Sequence, residues 1–130
     1  MVALPLPALA VLVVEDDDDL RSSLVLLLVA HGFRAAGAAD GLEALSHLRA
    51  HGPLGLIVLD AVMPGMGGLE FRGEQLADPA LAGIPVVVCT AWEELQDRPE
   101  FRAVAAFLVK PADPRRLLGL VREHCRRAGD

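Results

Sequence analysis

The chain has no tyrosine and only five aromatic residues, four Phe and one Trp, among 130. That scarcity excludes binding of nucleic acid by base stacking, which needs exposed aromatic faces. It also lacks surplus positive charge: 12 basic residues stand against 18 acidic ones, a net charge of -6, whereas phosphate backbones are bound by excess Lys and Arg. Cysteine is limited to Cys89 and Cys125, with no CxxC spacing. No disulfide framework or cysteine zinc site is implied, and a reduced chain in the cytoplasm is the simplest expectation. The apolar runs are too short to span a bilayer. The opening Met1–Val14 is apolar but has no basic start, contains Pro5 and Pro7 and runs straight into acids. It reads as a short tail and a buried strand rather than a signal peptide. No glycine-rich phosphate loop follows that strand, and no repeat, linker or low-complexity tract divides the chain.

What is present suits one domain over residues 1–130, with a core at about 8–127, close to the usual domain size. The apolar fraction is 53% and the mean hydropathy is +0.41, which excludes disorder. Leu, Val and Ala dominate, as expected of helices packed on a buried parallel sheet. Five short apolar runs predict strands: Ala8–Val14, Phe33–Gly37, Leu56–Leu59, Ile84–Cys89 and Ala105–Val109. Four are nearly continuously apolar, as strands covered on both faces must be. Phe33–Gly37 is weaker and suits a sheet edge.

Helical patterns separate these runs. Leu20, Leu24, Leu27, Leu28 and His31 share one helical face, and Gly32 stands where a positive φ ends the helix. Asp40 caps a second helix through Leu42, Leu45 and Leu48, closed near Gly52-Pro53. Leu69–Leu76 forms a third. Asp113 and Pro114 open the last, an N-cap followed by proline in the first turn, with Leu117, Leu118, Val121 and Cys125 turned inward. Between the fourth and fifth strands, Glu93–Ala103 is polar and carries Pro99, so any helix there is short or starts late. The alternation is (βα)5. With right-handed crossovers it predicts an α/β fold, a doubly wound five-stranded parallel sheet.

In such a sheet, ligands bind beyond the carboxyl ends of the strands. Those ends carry Glu15 and Asp16, then Asp60, Thr90 and Lys110. Residues 1–65 hold 8 acids and 3 bases, so the excess negative charge gathers in the half that supplies the acids. Crowded carboxylates repel, and a hard cation with oxygen ligands relieves the repulsion. Mg²⁺ fits, because it needs few carboxylates and keeps waters that a phosphate oxygen can replace. Lys110 is the only lysine, against eleven arginines, and supplies a compact positive charge for a phosphoryl group.

The runs Val11–Asp17 (VLVVEDD), Leu59–Gly68 (LDAVMPGMGG), Pro85–Ala91 (PVVVCTA) and Phe107–Pro111 (FLVKP) resemble the response-regulator receiver family of two-component signalling. The likeness covers about residues 8–127, and its strength is four motifs in order at the right strand ends. The resemblance implies a flavodoxin-like sheet of order 2-1-3-4-5 and Asp60 as the phosphoacceptor. It implies Mg²⁺ bound by Glu15, Asp16, Asp60 and the backbone carbonyl of Val62. Phosphoryl oxygens would be contacted by Lys110, the Thr90 hydroxyl and the amides of Ala61 and Ala91, with a cis bond between Lys110 and Pro111. Thr90 and Phe107 match the family's switch positions; Phe107 has no hydroxyl, so only the packing part of that switch is expected.

The implied donor is a phosphohistidine of a sensor histidine kinase or histidine phosphotransfer protein. The implied output is contact with a downstream protein, with no membrane and no direct nucleic acid; homodimerisation through the face built by the fourth helix, fifth strand and fifth helix is compatible with the family. Such a chain catalyses only its own phosphorylation and dephosphorylation. Two alternatives stand beside it: a degenerate receiver acting as an interaction module, and a haloacid-dehalogenase-like phosphatase. The latter needs a DxD pair after the first strand, where this chain has Glu15 and Asp17.

Departures from the pattern carry their own expectations. Gly67 replaces the usual Asp before the third helix and predicts a looser helix start. Val62 and Trp92, two residues beyond Asp60 and Thr90, cannot orient water and predict slow dephosphorylation. The cysteines read as small buried apolar residues. His31, His47, His51 and His124 read as surface or helix-end residues without ligand spacing. Arg122, Arg126 and Arg127 read as a solvated last turn favoured by the helix dipole.

Overall fold

The computed structural model describes residues 9–52 and 54–125. Expectations that fall on residues before Leu9, on Pro53, or on Arg126 and Arg127 lie outside those described. Five strands, β1 (Val11–Val14), β2 (Ala35–Ala38), β3 (Leu56–Leu59), β4 (Val86–Thr90) and β5 (Ala106–Val109), form one parallel sheet in the order β2-β1-β3-β4-β5. The helices are α1 (Asp18–Ala30), α2 (Gly41–His51), α3 (Gly68–Ala77) and α4 (Pro114–His124). This is the expected flavodoxin-like order, with the small, partly exposed Ala35–Ala38 strand at one edge.

Strand alternation divides the core in two. Leu12, Val14, Ile57, Leu59, Val86 and Val88 pack with Ala44, Leu45, Leu48 and Phe71 on the side of α2 and α3. Val11, Val13, Leu56, Val58 and Val87 pack with Leu28, Leu117, Leu118 and Val121 on the side of α1 and α4. β1, β3 and β4 are buried at every position because both of their faces are covered, whereas the edge strands β2 and β5 are partly exposed, so the Ala105–Val109 run is less enclosed than its apolar sequence predicts.

The caps follow the residue chemistry. Asp17 accepts from Leu20 N at 3.0 Å, Asp40 from Glu43 N at 2.8 Å and Asp113 from Arg115 N at 2.9 Å. The Arg115 contacts hold the Asp113 carboxyl below its ordinary range. Gly32 takes φ 91° just after α1. Leu42 points to solvent, since the inward stripe of α2 runs through Gly41, Ala44, Leu45 and Leu48. His31 is exposed, with Nδ1 2.9 Å from the Leu27 carbonyl at the end of α1.

The fourth crossover departs from a full (βα)5 repeat. It contains two 3₁₀ turns, Glu93–Asp97 and Pro99–Phe101. Arg98 between them is extended at φ -65°, ψ 138°, the conformation a following proline favours, so Pro99 prevents the two turns from merging into one helix. Phe101 is buried beneath them.

A buried polar network anchors this crossover to α3. Arg72, 4% exposed, donates from Nε to the Glu100 carbonyl (3.1 Å) and from Nη1 to Gln75 Oε1 (2.8 Å). Gln75 Nε2 in turn donates to the carbonyls of Leu81 and Ile84, both at 3.0 Å. Burial pulls the Arg72 pKa down, and the hydrogen bonds offset the cost of desolvating its guanidinium.

Candidate phosphoacceptor site

The carboxyl ends of β1, β3 and β5 converge on one rim. Glu15 follows β1, with its amide bonded to the Ala38 carbonyl at 3.0 Å and its carbonyl accepting from Arg21 Nη1 at 2.8 Å. Asp60 follows β3, with its amide bonded to the Val14 carbonyl at 2.9 Å. Lys110 follows β5, with its amide bonded to the Thr90 carbonyl at 2.8 Å. The backbone of each charged residue is thus tied to the neighbouring strand or helix.

The side chains meet. Lys110 Nζ donates to Glu15 Oε1 at 2.5 Å and to Asp60 Oδ2 at 3.4 Å. Both carboxylates are buried, while Lys110 keeps part of its surface in solvent. Burial alone would lower the Lys110 pKa. The hydrogen bond to Glu15 and the negative charges of Asp60 and Glu15 outweigh it, and the net displacement is upward. The stability drawn from this pairing is therefore present below the ordinary lysine value of 10.5 and is lost as pH rises through the elevated one.

Glu15, Asp16 and Asp60 each offer a carboxylate oxygen, and these lie within 4.8 Å of one another. Asp16 is exposed and faces the open side. An all-oxygen donor set with two buried acids is the chemistry of a hard divalent cation, so the residues fit Mg²⁺. One ammonium facing three carboxylates leaves local negative charge that such an ion would neutralise.

The loop after Asp60 is shaped by close approach. Val62 N donates to Asp60 Oδ1 at 3.2 Å, and Gly68 N to the Ala61 carbonyl at 3.0 Å. A Cβ on Gly68 would stand 2.5 Å from the Asp60 carbonyl oxygen, so only glycine allows α3 to start this near Asp60. Gly67 caps α3 without a side-chain hydrogen bond, in keeping with the missing Asp.

Of the remaining expected residues, Thr90 is fully buried and its Oγ1 accepts from Trp92 N at 3.3 Å. Ala61 is buried and Ala91 exposed. Val62 and Trp92, two residues beyond Asp60 and Thr90, are exposed at 47% and 52% and present apolar surface to solvent. Phe107 is half-buried and packs against Phe101 at 6.2 Å between ring centroids. The Lys110–Pro111 bond is cis, as the resemblance implies. Asp17, the second acid a DxD enzyme would need, is exposed and spent on capping α1.

Cys89 is buried and Cys125 partly so; burial raises both thiols, that of Cys125 to about 11. Arg21, Arg72 and Gln75 were not among the expected residues. The signal for the last two is their place on the inward stripe of α3 with Gly68 and Phe71.

Known proteins share these features. The receiver of Pseudomonas putida response regulator protein is similar at 29% identity and TM-score 0.82, over 92% of this chain and 99% of that one. The response regulator TrrA of Thermotoga maritima, solved in complex with Mg²⁺–BeF, is similar at 28% identity and TM-score 0.78, over 88% of this chain and 97% of that one. The DNA-binding response regulator MtrA of Mycobacterium tuberculosis is 34% identical over 122 residues, 92% of this chain and 52% of MtrA. The chain thus spans about half the length of the first curated relatives it matches. The family model described as response regulator receiver domain matches residues 11–122. With its sheet order, its acidic pocket and this match, the chain belongs to the response regulator receiver domain family.

Proposed function

We propose that Asp60 accepts a phosphoryl group from the phosphohistidine of a sensor histidine kinase or histidine phosphotransfer protein, and that residues 1–130 act as a single receiver domain. The observation that carries this reading is the bridge from Lys110 to both Glu15 and Asp60 at the strand ends. In the transfer an Asp60 oxygen attacks phosphorus in line and a P–O bond forms. The P–N bond to the donor imidazole breaks, and the imidazole leaves and takes a proton from solvent. Little covalent work falls to the protein; positioning and charge neutralisation do the rest.

Lys110 is the group placed to neutralise the incoming phosphoryl oxygens, which compete with Glu15 and Asp60 for its protons. The Thr90 hydroxyl and the amides of Ala61 and Ala91 complete the phosphoryl contacts. Glu15, Asp16, Asp60 and the Val62 carbonyl would hold Mg²⁺, which when bound offsets the negative charge of acceptor and phosphoryl group. Thr90 and Phe107 carry the switch, Phe107 through packing alone. Val62 and Trp92 give a water-poor rim and slow hydrolysis of the acyl phosphate.

The chain's acidic balance supports a protein target rather than direct nucleic-acid contact. Homodimerisation through the face of the fourth crossover, β5 and α4 belongs to the same reading. A cytoplasmic site of action is part of it too; among the described residues no helix is long and apolar enough to cross a membrane. Incubation with acetyl phosphate and Mg²⁺, followed by intact mass measurement, tests the proposal. One added phosphoryl mass is expected in the wild type and none in Asp60→Asn. An unmodified wild type would leave an interaction module as the better reading.

A further inference from the structure

The C-terminal end of α2 carries a second group of side chains of metal-ligating type, before β3 rather than after it as Asp60 is. His47 and His51 are four residues apart, so they lie on one helical face, one above the other. Their imidazole rings stand 4.4 Å apart between centroids, inclined at 49°. His47 Nε2 is shut off from solvent and has no hydrogen-bond partner among the described residues. A buried polar nitrogen without a partner is uncommon in a folded chain and calls for an explanation.

From these observations we infer that His47 and His51 form a two-imidazole site for a borderline divalent cation of the zinc class. Imidazole nitrogen is a preferred donor for Zn²⁺, Ni²⁺ and Cu²⁺, whereas hard Mg²⁺ prefers the all-oxygen group at the strand ends. Zn–N bonds of about 2.0–2.1 Å in tetrahedral geometry put two ligating rings about 5 Å apart between centroids. The observed spacing reaches that by side-chain rotation on an unchanged helix. An ion held between the rings would also give the orphaned nitrogen a partner. Asp40, Glu43 and Ser46 line the same shallow groove. Glu43 accepts from Ala39 N through Oε2 at 3.2 Å, so the two imidazoles are the primary protein ligands and water completes the shell. Such an ion staples the C-terminal half of α2 up to the point where the helix closes at Gly52.

The inference is independent of phosphoryl transfer. Its test is calorimetric titration of the whole chain with Zn²⁺ in a large excess of Mg²⁺, which engages the Glu15, Asp16 and Asp60 group. The wild type is expected to bind one more Zn²⁺ than either His47→Gln or His51→Gln, or to bind it at least about tenfold more tightly, since a lost ligand weakens a site no less than a lost outer-shell partner does. His31→Gln should bind as the wild type does. Zn²⁺ should also raise the melting temperature of the wild type and of His31→Gln, but not of the two α2 variants. Circular dichroism establishes that each variant is folded before titration. Equal Zn²⁺ binding by the wild type and both α2 variants, or none by the wild type, would overturn the inference.

Discussion

The rim at Glu15, Asp60 and Lys110 and the crossover at residues 93–104 hold their side chains in place by opposite means. At the rim each charged residue directly follows an apolar strand of the sheet, and ladder-like backbone hydrogen bonds bring the charges together. In the crossover the local sequence makes only two 3₁₀ turns. Their position comes from one buried ring, Phe101, and from Arg72 reaching across from α3. Chemistry is thus built where the backbone is over-determined. The surface usually supplied by a full helix is built here from a few long-range contacts, so the two regions should respond differently to substitution.

The largest expected effect lies at the rim. Lys110→Met removes the one ammonium that bridges the buried acids, and phosphoryl uptake from acetyl phosphate should slow by about 10²- to 10³-fold, the usual loss for a charge-stabilising donor. A time course of intact masses measures it; a rate within a few-fold of wild type would mean that the bridge is not part of the chemistry. The crossover should behave in the reverse way. Phe101→Ala should cost about 3–5 kcal/mol of stability in urea melts, as loss of a buried ring does, while the Lys110–Glu15 pairing stays intact. Arg72→Met should speed amide exchange across residues 93–104 and leave uptake close to wild type. If uptake fell as far as in Lys110→Met, the separation of the two regions would be wrong.

Next in size is the lifetime of the phosphoryl group. Replacing Val62 by Asn offers a group able to orient water beside Asp60, and should shorten the half-life by about tenfold. An unchanged half-life would show that the apolar rim does not control hydrolysis. The smallest effect is at the start of α3. Gly67 has φ -79°, and a Cβ there would meet nothing closer than 3.6 Å, so Gly67→Asp should gain roughly 0.3 kcal/mol through a side-chain cap. A loss of stability would show that the bare cap is needed by the neighbouring loop.

The rim was legible in the sequence because its signals are local. A lone lysine, paired acids and a threonine each end an apolar run, and β3 has the very bounds its residues predict. Sheet order came from the family resemblance, since strand patterns state no neighbours. The crossover was legible only as a disruption, through Pro99 and the lack of apolar periodicity. What holds it was hidden: the Arg72–Glu100 bond joins residues 28 apart, and no local pattern tells a buried arginine from a solvated one. The inward stripe of α2 was not legible, because leucines three apart fit more than one helical stripe and the choice falls to the sheet beneath. His47 and His51 stand four apart on α2, the spacing of paired histidines in helical zinc motifs, so the reading that they lack ligand spacing needs correction.

The central claim is that one ammonium and three acids meet to make Asp60, and no other carboxylate, the acceptor. It is tested most directly by trapping the acyl phosphate with borohydride after reaction with acetyl phosphate and Mg²⁺, then mapping peptides by mass. Reduction should convert the residue at position 60 alone to homoserine. Reduction at Glu15 or Asp16 in place of Asp60, or at no carboxylate in a folded wild-type chain, would contradict the account.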